Sequence, residues 1–389
     1  MVGDYAGEWD RRAIQICRIA RSLPPQSRRR LVSSGSAPPE NLNLIAFSRR
    51  VPTLVKFLSK HHAGKIARGW RRLSPGQADQ WGDCRFVYAP ACDRYDWLVV
   101  YDDLPAAHPR EPLACPAGRT LLITNEPPTV KLYEPAYTRQ FGHVLTSQSA
   151  ADLPHPRRVH HPSTLLWYYG LHDNTGRDLD ALRAGPLPAK TADLSTVCSD
   201  KRQGHTLHRL RFDFTQALKK RLPTLEIYGH GVRPMRDKAE ALEPFRLHLV
   251  FENHHAPVHW SEKLSDAFLA GCLPLYYGCP DAERWFPADS FIRIDPYDVE
   301  GTARRIEAAI ANDEYTRRLP AILEARRRVL EDYNPLAVIA HHIAAHPNPE
   351  PPPAPGATLL GRRATRWSHP LQAIPFLLGR TLRRLRGPA

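Results

Sequence analysis

The chain has 389 residues, more than one ordinary core holds, so about two domains of roughly 100–200 residues each are expected. Hydrophobic residues make up 42%, which excludes a wholly disordered chain, and the 38 prolines gather near 23–39, 105–128 and 344–355, as loops and linkers do. A formal net charge of +14 suits anionic partners such as nucleic acid, lipid headgroups or diphosphates, and the charge alone does not choose among them.

Residues 1–40 are basic and rich in Pro and Ser, and read as a poorly ordered extension. Their first residues, Met1 to Trp9, hold no apolar signal segment, and no uncharged apolar run approaches the ~20 residues of a membrane-spanning helix. The seven cysteines include no CxxC pair and read as buried thiols in a reducing compartment. The expectation is a cytoplasmic protein.

Regular structure is expected from Asn43–Phe47, a short buried strand, followed by a helix over Thr53–His61. Strand-like runs come next at Arg85–Tyr88, Trp97–Tyr101, Thr120–Thr124 and His143–Thr146, each short, apolar and bounded by turn residues. Residues 171–190, with Asn174, Gly176, Gly185, Pro186 and Pro188, look like a linker. Beyond it, strands Leu194–Cys198, Leu225–Tyr228, Leu247–Phe251, Leu273–Tyr277 and Phe291–Ile294 alternate with helices near His208–Leu222, Glu262–Ala270, Val299–Asn312 and Asp313–Tyr333. Such alternation predicts parallel sheets covered on both faces. The domains are expected at 41–170 and 191–345, with a Pro-rich linker and basic tail over 346–389.

The stretch richest in chemistry is Phe251-Glu252-Asn253, a loop, then Glu262-Lys263-Leu264 and Gly271-Cys272-Leu273-Pro274. It reads strand, loop, helix, strand, and in an open α/β sheet the ligand crevice lies at the carboxyl ends of the strands. Ser261 is placed as the helix N-cap, so backbone N–H groups, the dipole and Lys263 would together face an anion. Taken alone, the same residues are ordinary helix-start chemistry beside a surface lysine.

From Phe245 to Asp298, with Tyr228-Gly229 upstream and Phe286-Pro287-Ala288-Asp289 downstream, this pattern resembles the α-1,3/4-fucosyltransferases, glycosyltransferase family 10. North of residue 190 the likeness thins to fragments. The resemblance implies two Rossmann-like domains facing a cleft (the GT-B type) and transfer of L-fucose from GDP-fucose to a glycan hydroxyl. It implies that Lys263 and Arg211 hold the diphosphate, that Glu262 binds donor hydroxyls, and that Asn253, Glu252 and Tyr228 line the donor pocket. His259 stands where relatives often carry Tyr, so stacking on the donor would differ there. Glu126, in Thr124-Asn125-Glu126-Pro127 after a strand, falls where the family places its catalytic glutamate.

The reaction asks for the same groups. Displacing GDP needs a base for the acceptor hydroxyl and cations for the charge growing on the diphosphate. A base on one face and the leaving group on the other give inversion. Asp102-Asp103 is not the Asp-x-Asp of metal-dependent transferases, and Arg plus Lys can replace a metal, so no cofactor is expected beyond the donor substrate. Glu134 and Asp152 are alternative carboxylates that do not directly follow a strand. His254, His255 and His259 lack the carboxylate partners of a metal site. Trp167 and Tyr168 stack on an acceptor sugar or pack at the domain edge, and the sequence leaves both open.

From Leu359 to Arg386, arginines alternate with Trp367, Leu371, Ile374 and other apolar residues without one acid. That pattern suits a helix in an anionic membrane interface, hence peripheral attachment at the cytoplasmic face. The acceptor is expected to be an oligosaccharide or lipopolysaccharide, with no nucleic acid partner. A transferase of another nucleotide sugar is the nearer rival. A non-catalytic basic α/β protein binding glycan or nucleic acid explains the charge but not the spacing of Asn253, Glu262 and Lys263.

Overall fold

The computed structural model describes residues 51–60, 68–162, 166–171, 177–204, 206–348 and 350–371, with 374 and 376. The expected strand at 43–47, the extension 1–40 and the end of the tail lie outside them.

The amino-terminal sheet is built from β1 (Thr53–Ser59), β2 (Gln80–Trp81), β3 (Cys84–Val87), β4 (Trp97–Tyr101), β6 (Thr120–Ile123), β7 (His143–Thr146) and β8 (Arg158–His160). Between β4 and β6 lies β5 (Arg110–Pro112), outside this sheet. The strand order is β2-β3-β1-β4-β6-β7-β8, parallel except for the β2–β3 pair. Strands β4, β6 and β7 are buried at every position, so they read as continuous apolar runs rather than alternating ones. A short helix, α1 (Pro135–Thr138), precedes β7.

One expected element changes type. The helix expected over Thr53–His61 is β1, a central strand between β3 and β4 with Val55 opposite Trp97. Lys56 lies in the middle of it and is 2% exposed. Its ammonium is held by Glu111 of β5 at 2.6 Å and by the Cys92 carbonyl at 2.7 Å, and the Tyr95 hydroxyl donates to the same Glu111 at 2.9 Å. A buried lysine is tolerable only with such partners.

The stretch read as a linker contains α2 (Leu179–Ala184), capped by Asp178, which accepts from the Ala181 N–H at 2.9 Å. The carboxyl-terminal sheet then runs β10-β9-β11-β12-β13, all parallel. Its strands are β9 (Ala192–Val197), β10 (Glu226–Tyr228), β11 (Phe245–Phe251), β12 (Leu273–Tyr277) and β13 (Ile292–Arg293). Helices α3 (His208–Arg221), α4 (Ala239–Leu242), α5 (Glu262–Leu269), α6 (Val299–Ala311) and α7 (Glu314–Leu330) connect or follow them. The fold is α/β, two Rossmann-like domains whose parallel sheets each carry their loops at the carboxyl ends of the strands.

The chain then returns to its first half. Helix α8 (Pro335–Ala344), which the sequence placed with the second domain, sets His342 edge-on to Trp97 of β4 at 5.9 Å. Asn334 at its N-cap donates to the Leu73 carbonyl at 2.9 Å. Residues 358–368, expected in the basic tail, form β14 (Thr358–Leu360), paired antiparallel with β5, and α9 (Arg362–Ser368). Leu359 is buried in the amino-terminal core, and Arg362 is buried against Glu134 at 2.9 Å. No described helix is long and apolar enough to cross a membrane. The six described cysteines are buried and form no disulfide among the described residues.

Candidate active site

The carboxyl end of β11 and the start of α5 form one hydrogen-bonded unit. Ser261 is the N-cap of α5. Its backbone N–H donates to Glu252 Oε1 at 2.8 Å, and its hydroxyl donates to Glu252 Oε2 at 2.5 Å. The Ser261 oxygen in turn accepts from the Lys263 ammonium at 3.1 Å, which also lies 3.1 Å from Glu262 Oε1 and 3.5 Å from Glu252 Oε2. Gly278, just past β12, is the residue this arrangement requires: a Cβ there would meet Glu252 Cγ at 2.4 Å and the Tyr276 hydroxyl at 2.5 Å.

Two expectations are corrected here. At the helix start the Ser261 N–H is taken by Glu252 and the Lys263 N–H by the Ser261 hydroxyl oxygen at 3.3 Å, so most of the positive charge for an anion comes from side chains. Glu252, expected on the donor pocket wall, is 1% exposed with both oxygens engaged. Its oxygens hold Ser261 and lie 3.5 Å from the Lys263 ammonium.

The charges are strongly coupled. Burial opposes ionisation of Glu262, yet Lys263 and Lys238 outweigh it and bring its carboxyl down to about 2. Burial likewise opposes the Lys263 charge, but Glu262 and Glu252 hold the ammonium above its usual range despite the Arg211 charge. Lys238 pairs with Asp266 of α5 at 2.6 Å. Asp266 also accepts from the backbone N–H groups of Tyr168 and Tyr169 at 2.7 and 2.9 Å, tying the inter-domain segment to α5. Nothing in the local sequence around Lys238 or Asp266 marked them out.

Arg211 is buried on α3, and its Nη1 donates to Asn253 Oδ1 at 2.8 Å, across the end of β11. Its Nε has no hydrogen-bond partner, which leaves donor capacity for an anion. Arg211, Asn253, Glu262 and Lys263 therefore come together as the sequence suggested. Tyr228 ends β10 but is 5% exposed, with the Arg233 guanidinium 4.4 Å from its ring centroid. It packs rather than offering a face to a donor.

The facing wall belongs to the amino-terminal domain. Glu126 follows β6, with its carbonyl held by Gln148 Nε2 at 2.8 Å. Burial, then the nearby Asp102 charge, raises its carboxyl above the ordinary value, and Glu262 across the cleft adds to the effect. Asp102, fully buried at the end of β4 in a left-handed conformation (φ 73°), is enclosed by Lys131, Tyr133 and Lys60. Burial works against its charge, but those partners draw it down to about 2. Its role was not visible in Asp102-Asp103 as a sequence. Of the alternative acids, Glu134 is engaged by Arg362 and Arg366, and Asp152 accepts from the Ser149 hydroxyl at 2.7 Å.

Histidines bridge the two walls. His254 Nδ1 lies 3.2 Å from Thr129 Oγ1, and His259 Nδ1 lies 3.0 Å from Ser147 Oγ. His259 is 5% exposed, and burial, then His254 and Lys263, lower it to about 3, so it is a neutral domain-closing contact. Of the two readings left open for Trp167, packing is the one found. It is 1% exposed, its carbonyl accepts from Arg72 at 2.6 Å, and its ring leaves no face for a sugar. Tyr168 is 46% exposed, with the Lys238 ammonium 5.1 Å from its ring centroid.

Residues 187–318 match the carboxyl-terminal domain model of glycosyltransferase family 10 (fucosyltransferase). A fucosyltransferase-like protein of Arabidopsis thaliana is 36% identical over 107 residues, which cover 26% of this chain and 21% of the plant protein. Crystal structures of α1,3-fucosyltransferase are also similar. One with GDP is 17% identical, covers 72% of this chain and 84% of its own, and superposes with a TM-score of 0.46. One with GDP-fucose is 16% identical, covers 75% and 84%, and gives 0.43. The matched segment runs from just before β9 into α7 and contains Arg211, Asn253, Glu262 and Lys263. Over residues 187–318, then, the chain is similar to the carboxyl-terminal domain of glycosyltransferase family 10 (fucosyltransferase).

Proposed function

We propose that this chain is a glycosyltransferase that moves L-fucose from GDP-fucose to a hydroxyl of a glycan acceptor with inversion. The observation that carries the reading is the opposition of two groups across one cleft: the Arg211–Lys263 cation pair on family 10 framework, and Glu126 with a raised carboxyl facing it. Glu126 takes the proton of the acceptor hydroxyl as that oxygen attacks the anomeric carbon. The bond to the diphosphate breaks on the opposite face, and Arg211 and Lys263 neutralise the charge left on GDP. Glu262 and Asn253 orient the donor, and Tyr168 is the exposed aromatic available to an acceptor ring. The cation pair does the work a metal does elsewhere, so turnover persists in EDTA. The test is product formation from GDP-fucose with lactosamine-type and lipopolysaccharide acceptors, with GDP-mannose and UDP-sugars as competing donors. Transfer from one of those in place of GDP-fucose would move the chain to the rival donor class. Binding of a glycan without any turnover would make it a binding protein.

A second part of the proposal concerns location. Trp367 on α9, and Leu371 and Ile374 beyond its end, are 77%, 84% and 56% exposed, with the exposed Arg363 on the same short helix as Trp367. This face suits a peripheral anionic membrane surface, where each Arg contributes about 1 kcal/mol before screening. Equal binding of full-length protein and a chain ending at 366 to anionic vesicles would remove it.

A further inference from the structure

Three histidines meet far from the cleft, in a place the chemistry above does not use. His143 opens β7, so it sits at the end of the sheet opposite the loops that carry Glu126 and Asp102. His342 lies in α8 and His346 just beyond it, four residues apart and so on one helical face. The three rings approach one another with centroids 4.4–4.8 Å apart, and their candidate ligand atoms all lie within 4.8 Å.

The nitrogens are prepared for a ligand in two ways. His342 is only 8% exposed, yet its Nε2 has no hydrogen-bond partner, which is costly for a buried polar atom unless something else binds it. His346 Nδ1 lies 2.7 Å from the His342 carbonyl, so that nitrogen carries the proton and Nε2 presents its lone pair.

We infer that His143, His342 and His346 form a site for a transition-metal dication of the zinc type. Imidazole suits Zn²⁺, Ni²⁺ and Cu²⁺, whereas Mg²⁺ and Ca²⁺ prefer oxygen. Tetrahedral zinc at about 2.0–2.1 Å from each nitrogen asks the three to draw together by roughly an ångström, and the partly exposed His346 side chain can supply most of that. Water completes the shell. The metal would tie the helix that returns from the second domain to the first domain's sheet, on the side away from the reaction, so its contribution is to stability and not to transfer.

The experiment uses the untagged full chain, stripped with chelator and dialysed. Zinc is titrated by calorimetry and by competition with a chromogenic chelator, with Mg²⁺ as control, and thermal unfolding is followed with and without metal. One equivalent of zinc should bind, Mg²⁺ should not, and zinc should raise the melting temperature. His346→Gln should weaken zinc at least tenfold and abolish the thermal shift while its GDP affinity stays that of the wild type. His143→Asn is the second variant, should the first perturb the helix end. Cobalt(II) gives a separate readout, because a tetrahedral site develops strong visible bands that both variants should lose. Zinc binding and thermal response unchanged in both variants would overturn the proposal, as would a wild-type chain that binds no zinc. GDP binding is measured in the same samples and reports on the cleft independently.

Discussion

Lys263 is legible in the sequence because a cation beside a capped helix start, ten residues after Asn253, is a local pattern. What the sequence did not reveal is how much of its setting is carboxylate: Glu262 and Glu252 both lie within 3.5 Å. Replacing Lys263 by Ala removes a charge-assisted contact and leaves those acids facing the diphosphate. GDP affinity should fall by about 1.5–3 kcal/mol, or one to two decades, measured by calorimetry. An unchanged affinity would remove Lys263 from the donor site. Glu126 differs because its environment comes from afar, from Asp102 on a neighbouring strand. Glu126→Gln should leave GDP affinity intact and lower kcat by roughly 10²–10⁴-fold. The pH sign follows from its direction of shift. A base is inactive when protonated, so the acidic limb of kcat/KM should lie above the ordinary glutamate value of 4.5. In Asp102→Asn that limb should move to lower pH, since the charge that disfavours Glu126 ionisation is gone and Lys60 and Lys131 are left to favour it.

At the scale of elements, β9, β11, β12 and α5 were readable because apolar runs bounded by turn residues and a Ser cap are contiguous signals. Strand β1 was misread because Leu54, Val55, Phe57 and Leu58 also satisfy helical spacing, and a lysine at 56 fits an exposed helix face better than a central strand. The partner that makes the strand possible, Glu111, is 55 residues away. The same limit hid the return of β14 and α9, where Arg362 and Arg366 pair with Glu134. Charge runs are solvated unless a distant acid claims them. Glu111→Ala should therefore be costly. It strands a lysine that is 2% exposed, and breaking such a pair costs about 3–5 kcal/mol. The denaturation midpoint should fall accordingly, and Lys56→Met combined with Glu111→Gln should recover much of the loss. Equal stability of the single variant and the wild type would mean that the pair does not organise this strand.

Polar contacts that depend on neutral histidine hold the molecule together both between its halves and within one of them. His259 joins Ser147 across the cleft, and His248 of β11 lies 2.8 Å from Ser195 Oγ of β9. The Ser195 hydroxyl gives its proton to the Ala241 carbonyl at 2.6 Å, so His248 Nδ1–H is the donor in that pair. Burial lowers both histidines to about 3, with neighbouring positive charge adding to it. Unfolded histidine titrates near 6.5, so between about 6.5 and 3 the unfolded chain binds protons that the folded one refuses. Stability is then full above pH 6.5 and declines as pH falls, by up to about 1.4 kcal/mol per pH unit for each such histidine. Glu262 behaves differently. Its folded value of about 2 means that its share is present above the unfolded value, near 4.3, and is lost only below it. The window from 6.5 to about 4.5 thus isolates the histidines. In urea unfolding, His248→Gln should be less stable than the wild type at pH 7, and the two should converge as pH drops through that window. Parallel curves would show that the acid sensitivity of the fold arises elsewhere than at His248.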